Sequence, residues 1–304
     1  MNDNVNFQYI QAVLWFVASI LISAGNDLLA KLLGGNLHHM QITFLRFFFS
    51  MVTLLPVMFC YKEKFKTDYL LLHVLRGTIL CIAIILWIQS LNSVPIILAT
   101  IISFTIPLFF IILARLFLNE YIGWQRGLVT LVGFCGILVL IIPAQVSMDS
   151  AALLLLVASI LFASLDILNK KFVTKETMLN MMFYSSLVAV LIVSVPAYIV
   201  WNKPTSQDLI LCFVLGCGAN LILFALLKAF SMSEASALSP FRYLELFFTA
   251  VLGYIFFSDI PNMYHVIGAA IIIPSTLILV YYESIKKDRL KNCSEVSVEV
   301  NVNT

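Results

Sequence analysis

Arg242 and Glu245 stand three residues apart in FRYLELFF (241–248), inside an apolar run long enough to cross a bilayer. A charged side chain at the bilayer centre costs about 2.5–3.5 kcal/mol on insertion scales, so such groups face a wet cavity or a partner. The pair can neutralise itself, or it can offer an acid to a ligand cation and a guanidinium to a ligand carboxylate. At a rise of 1.5 Å per residue, Arg242 lies roughly 10 Å and Glu245 roughly 15 Å into the run, which puts Glu245 near the midplane. Ser236, Ser239, Arg242, Glu245 and Thr249 recur at spacings of three and four and form one polar stripe. Arg46, in FLRFFFS (44–50), is another cation in an apolar run. Aromatic faces could complete such a site, because a ring attracts a ligand cation through its quadrupole. Tyr243 neighbours the stripe, and Trp87 precedes Gln89 in the apolar run over 70–92. Trp15 sits above Ser19, Ser23 and Asn26 at helical spacing, although its depth also suits anchoring at the headgroup level.

A second set of charges is repeated. Asp27 and Lys31 are four apart in NDLLAK, and Asp166 and Lys170 are four apart in LDILNK. At that spacing both members share one helix face, with the acid on the favourable N-terminal side. Two readings stay open: gates at the two ends of a transport path, or ion pairs that solvate helix ends. In SALSPFR, Ser239 as N-cap and Pro240 at the first helical position could restart a helix within the membrane, its positive end toward an anionic group.

Other chemistries lack support. HExxH, Walker A, GxSxG and GxGxxG arrangements are missing, so no enzyme and no nucleotide cofactor is expected. His38 and His39 have no acidic or cysteine companion, and no metal site is expected. The six cysteines form no CxxC pair and read as small apolar fillers. A net charge of +2 leaves no nucleic-acid footprint.

These side chains need a scaffold whose solvent is lipid. The chain is 62% hydrophobic and 11% charged, with mean hydropathy +1.02, against roughly twice that charged fraction in soluble domains. Apolar runs of span length recur near 9–32, 37–60, 70–92, 95–117, 123–142, 149–171, 178–200, 207–230, 235–257 and 262–283. The expectation is all-α, with ten transmembrane helices. An offset of 139 residues lays DLLAK on DILNK and brings Pro56 within one residue of Pro196. Two five-helix units follow, 1–146 and 147–285, with a polar, disordered cytoplasmic tail at 286–304. An odd number of spans per unit inverts the second copy, as in many secondary transporters. Lys62, Lys64, Lys66, Arg76, Arg115, Arg126, Lys170, Lys171 and Lys175 would all lie near one membrane face, which puts both termini in the cytoplasm. The partners expected are a small-molecule substrate and the bilayer; a homodimer is compatible with the sequence.

With LNE after the fourth span, this pattern resembles the EamA type of the drug/metabolite transporter superfamily over nearly the whole chain to about residue 283. NDLLAK (26–31), FLRFFFS (44–50), WQRG (124–127), LDILNKKFV (165–173), LLKAFS (226–231) and PFRYLEL (240–246) are similar to the S-adenosylmethionine uptake transporters within it. The resemblance implies an inner-membrane carrier working by alternating access, with exchange for S-adenosylhomocysteine as a compatible return leg. Glu245 would meet the ligand cation, Arg242 or Arg46 its carboxylate, and Tyr243 with Trp15 its ring. An exporter of amino acids or related metabolites on the same fold is the nearest alternative; a non-transporting receptor or scaffold is the alternative of another class.

Overall fold

Hydrocarbon offers no partner for a backbone N–H or C=O, so an apolar run in lipid must satisfy its own backbone by coiling into a helix. In the computed structural model, residues 3–61, 66–94, 99, 102–118, 124–141, 150–245, 248, 270 and 274 are described, and all their regular structure is helical. Eight long helices are α1 Asp3–Leu33, α2 His39–Cys60, α3 Leu70–Ser93, α4 Ile106–Phe117, α5 Trp124–Ile141, α6 Ser150–Phe172, α7 Met178–Ile199 and α8 Ser206–Met232. A four-residue helix, Ala235–Leu238, runs into a 3₁₀ turn, Ser239–Leu244. Six of the helices, α1–α3 and α6–α8, are long and apolar enough to cross a membrane. Their outer faces expose large apolar side chains such as Phe59, Leu71, Tyr198 and Ile199. The chain is a multi-pass membrane protein. The tenth expected span and the polar tail lie outside the described residues, apart from single positions.

The 139-residue offset governs local structure as well as sequence. It carries the bounds of α2 onto those of α7. Side chains cap both helices at equivalent positions, His38 accepting from the Met40 amide and Thr177 from the Asn180 amide. α1 lies antiparallel on α8, with Phe16 beside Phe230 and Asn26 donating to the Leu215 carbonyl at 3.1 Å. α6 lies antiparallel on α3 in the same way, with Arg76 donating to Asn169 and Trp87 edge-on to Phe162. At the centre α2 and α7 are antiparallel to each other, joined at Ser50–Ser186 and, toward one end, by Gln41 to the backbone of Asn202.

Lipid supplies no hydrophobic drive between helices, so close packing must hold them, and small residues permit it. Gly77 in α3 and Gly216 in α8 are equivalent positions. A Cβ on Gly77 would meet Val188 at 2.6 Å, and one on Gly216 would meet Phe49 at 2.8 Å and the Arg46 carbonyl at 2.9 Å. Each glycine therefore seats the third helix of one half against the second helix of the other.

The fourth helix of each half is broken. Residues 104–105 form a turn before α4, and Pro107 stands in its first turn. The span expected over 95–117 runs across this break. In the second half the break falls at the 3₁₀ turn, which Pro240 opens. The N-cap is Leu238 rather than Ser239, and no side chain caps it.

Candidate functional site

Both breaks face one cavity of about 160 Å³ between the halves. That far exceeds the roughly 10–15 Å³ one water needs, so charges lining it can be hydrated. The first half contributes Asp27 from α1, Arg46 from α2, Trp87 from α3 and Ser103 just before α4; the second contributes Asp166 from α6, Asn220 from α8, Arg242 and Glu245.

Asp27 accepts a hydrogen bond from the Trp87 indole at 2.9 Å. Asp166 accepts one from Arg242 at 2.6 Å, a charge-assisted pair. Arg242 also lies 5.8 Å over the Phe16 ring. Arg46 stands 5.7 Å over the neighbouring Phe47 ring, and its charge faces Asp27. Its guanidinium makes no hydrogen bond to any described residue, and its Nε is buried without a partner. Glu245 likewise makes no hydrogen bond to a described residue; its charged neighbours are Asp27 and Arg242. The site thus combines one closed ion pair, one acid held by an indole, and an acid and a guanidinium whose hydrogen-bonding groups remain available to a ligand.

Of the candidate site residues singled out in the sequence, Asp27, Arg46, Asp166, Arg242 and Glu245 line this cavity, as do Ser19, Ser23 and Asn26 of the polar face on α1. Trp15, Tyr243, Lys31, Lys170, Ser236 and Ser239 do not, and Thr249 lies outside the described residues. Trp15 is 38% exposed and packs edge-on to Phe224. Tyr243 is fully buried beside Phe104 and donates to the Thr130 carbonyl at 2.9 Å. Their faces are committed to packing; the cavity's aromatic lining is Trp87 with Phe16, Phe47 and Phe162. Trp87 is an aromatic candidate by sequence, but it has no acid near it there; its bond to Asp27, 60 residues away, is made only by folding.

The lysines have partners far along the chain. Lys31 donates to the carbonyls of Leu91 and Val94 at 3.3 and 2.6 Å, and Lys170 to those of Phe230 and Ser233 at 2.7 and 2.6 Å. The two sets of acceptors are related by the same 139 residues. Each lysine closes the C-terminal end of a third helix where backbone carbonyls lack partners. Among the described residues neither lysine bridges the acid one turn before it.

A polar cluster lies between the cavity and one end of the bundle. Arg76, 1% exposed, donates to the Asn169 amide oxygen at 2.6 Å and to the Met181 carbonyl at 3.2 Å. Farther out, His73 meets Glu176 at 3.3 Å, and Glu176 also accepts from Thr67 and Asn180. Partial burial acts to raise the Glu176 carboxyl. The bonds from Thr67, Asn180, His73 and the Thr177 amide outweigh it and hold the group below its ordinary 4.5.

A charged, aromatic-walled cavity between two equivalent halves is the arrangement of a carrier. Comparison with known proteins agrees. The model of the EamA-like transporter family matches residues 10–142 and again 149–281. The chain belongs to this family. It is 45% identical over 284 residues to the S-adenosylmethionine uptake transporter of Rickettsia prowazekii (strain Madrid E), covering 93% of this chain and 96% of that one. It is 46% identical to the protein of the same name in Rickettsia felis, with the same coverage. The riboflavin transporter of Vibrio cholerae is more distant, 27% identical over 93% of this chain and 97% of its own. One crystal structure superposes with a TM-score of 0.72 at 13% identity, covering 93% of this chain and 98% of that one, a likeness of fold.

Proposed function

We propose that this chain is an inner-membrane carrier that takes up S-adenosylmethionine by alternating access. Its return leg carries S-adenosylhomocysteine, and both termini are cytoplasmic. The observation that carries the reading is the cavity: an available acid, an available guanidinium and a tryptophan meet there, in a chain 45% identical over 93% of its length to S-adenosylmethionine uptake transporters. The ligand has a sulfonium, an ammonium, a carboxylate and an adenine ring. Arg46 suits the carboxylate better than Arg242, because Asp166 already occupies Arg242. Glu245 and Asp27 suit the cationic end, and Trp87 with Phe162 suits the ring. Ten helices in two inverted five-helix units, 1–146 and 147–285, are the scaffold we assign. The antiparallel pairing of α2 with α7, equivalent helices of the two units, supports the inversion.

The test is uptake of radiolabelled S-adenosylmethionine into cells expressing the chain, challenged with a panel of nucleosides, amino acids and S-adenosyl compounds. Accumulation that only S-adenosyl compounds suppress is expected. Loss of preloaded label without accumulation would point to an exporter. Ligand-induced thermal stabilisation without flux in liposomes would point to a receptor.

A further inference from the structure

Five ionisable side chains line the cavity among the described residues: Asp27, Asp166 and Glu245 against Arg46 and Arg242. Three acids against two guanidiniums leave one negative charge in excess. Asp166 is bound to Arg242, and Asp27 holds the Trp87 indole and faces Arg46. The excess therefore rests on Glu245. Of the elements around it, α1 presents Asp27, α2 Arg46, α6 Asp166 and the 3₁₀ turn Arg242, while α3, α8 and the α4 region present the uncharged Trp87, Asn220, Ser103 and Ile106; α5, packed on the 3₁₀ turn, puts no described side chain in the lining. Lys31 and Lys170 are turned to backbone carbonyls and are not in the lining. A buried carboxylate whose neighbouring guanidinium is already paired with another acid takes up a proton more readily than one with a guanidinium of its own.

This inference rests on the substrate reading above. S-Adenosylmethionine carries two positive charges and one negative; its demethylated thioether carries one of each. We propose that Glu245 is the proton-carrying group of an exchange cycle, ionised when the cavity holds the cation and protonated when it holds the neutral thioether. The cycle balances. One sulfonium cation enters. As the thioether binds from the cytoplasm, a Glu245 carboxylate oxygen takes a proton from cytoplasmic water. It releases that proton to water on the far side when the next cation binds. Each turnover moves one cation in and one proton out, with no net charge transfer.

The experiment uses full-length protein in liposomes loaded with S-adenosylhomocysteine and a pH-sensitive dye, with S-adenosylmethionine added outside. The lumen, standing for the cytoplasm, should become alkaline by one proton per cation imported, and an imposed membrane potential should leave the rate unchanged. Glu245→Gln mimics the protonated acid. It should bind S-adenosylhomocysteine as wild type does, bind S-adenosylmethionine about tenfold or more weakly, and exchange without moving protons. Exchange by the wild type with no lumenal pH change overturns the proposal, as does an E245Q variant that weakens both ligands equally. The wild-type proton count needs no variant, so a poorly folded E245Q leaves the test intact. If the wild type binds neither compound, the substrate reading itself fails and takes this one with it.

Discussion

The two halves present the cavity with the same positions and different side chains. Asp27 and Asp166 match. Beyond them, Trp87 faces Leu226, Ser103 stands where the second half has Arg242, and Ile106 stands where it has Glu245. Among the structural contacts, the lysine caps within each half and the glycine contacts between the halves are matched. The difference separates two tasks. A matched frame has two end states of similar energy, as alternating access requires. A ligand with a cation, a carboxylate and a ring has no such symmetry, so its contacts must differ between the halves. The asymmetry is concentrated where the second half breaks its fourth helix.

The sharpest way to break the comparison is to give the second half the residue of the first. Arg242→Ser strands Asp166, and removing one partner of a buried pair costs about 3–5 kcal/mol. A loss of that size should appear in thermal unfolding of the purified protein, with uptake reduced more than about 100-fold. Adding Asp166→Asn removes the stranded charge and should restore stability to within about 1 kcal/mol, while uptake stays low. A single variant as stable as wild type would mean that the pair contributes nothing to the fold.

The lysine caps test the matched part. Each makes two hydrogen bonds to described carbonyls from a charged donor, worth about 1.5–3 kcal/mol each when broken. Lys31→Met and Lys170→Met should destabilise by the same amount, within about 0.5 kcal/mol. Unequal losses would show that one cap carries more of the fold than the other.

How much of this was legible follows from the range of each interaction. Hydropathy marks the long helices because lipid leaves a run no other structure. The 139-residue offset marks the repeat, because equivalent positions keep equivalent chemistry. The same offset also pairs Gly77 with Gly216, a signal in the sequence that points to the close helix contacts. The intramembrane acids and arginines announced a polar site because hydrocarbon tolerates them nowhere else. Their partners were not legible. Asp27 with Lys31, and Asp166 with Lys170, look like pairs on a single helix, but each acid and each lysine reaches across some 60–76 residues instead. Trp15 and Tyr243 share faces with polar residues, yet each ring turns into packing, which helix periodicity alone cannot foresee.

A smaller effect sharpens the aromatic contrast. Trp87→Phe keeps a ring on the cavity wall but removes the donor to Asp27, and the KM for uptake should rise about tenfold. Trp15→Phe and Tyr243→Phe should leave KM within about twofold. Tyr243→Phe should instead cost about 1 kcal/mol of stability, because the buried hydrogen bond to the Thr130 carbonyl is lost. A KM that rises in Tyr243→Phe alone would return that ring to the site.

The smallest effect compares the two ends of the bundle. At one end Glu176 gathers Thr67, His73 and Asn180; at the other, Gln41, at the position equivalent to Asn180, exchanges two hydrogen bonds with the backbone of Asn202 at 2.7 and 3.1 Å. The first end depends on a charge and the second on an uncharged amide. Because folding holds the Glu176 carboxyl below its ordinary 4.5, its contribution is fully present above that value and fades as pH falls through the lower folded one. Glu176→Gln should therefore lower Tm by about 1–3 °C at pH 7, and the deficit should shrink below pH 4. Gln41→Leu removes bonds that carry no charge, so its deficit should be the same at both pH values. If the Glu176→Gln deficit also persisted in acid, the cluster would be held by shape rather than by the carboxylate, and the two ends would be alike in kind.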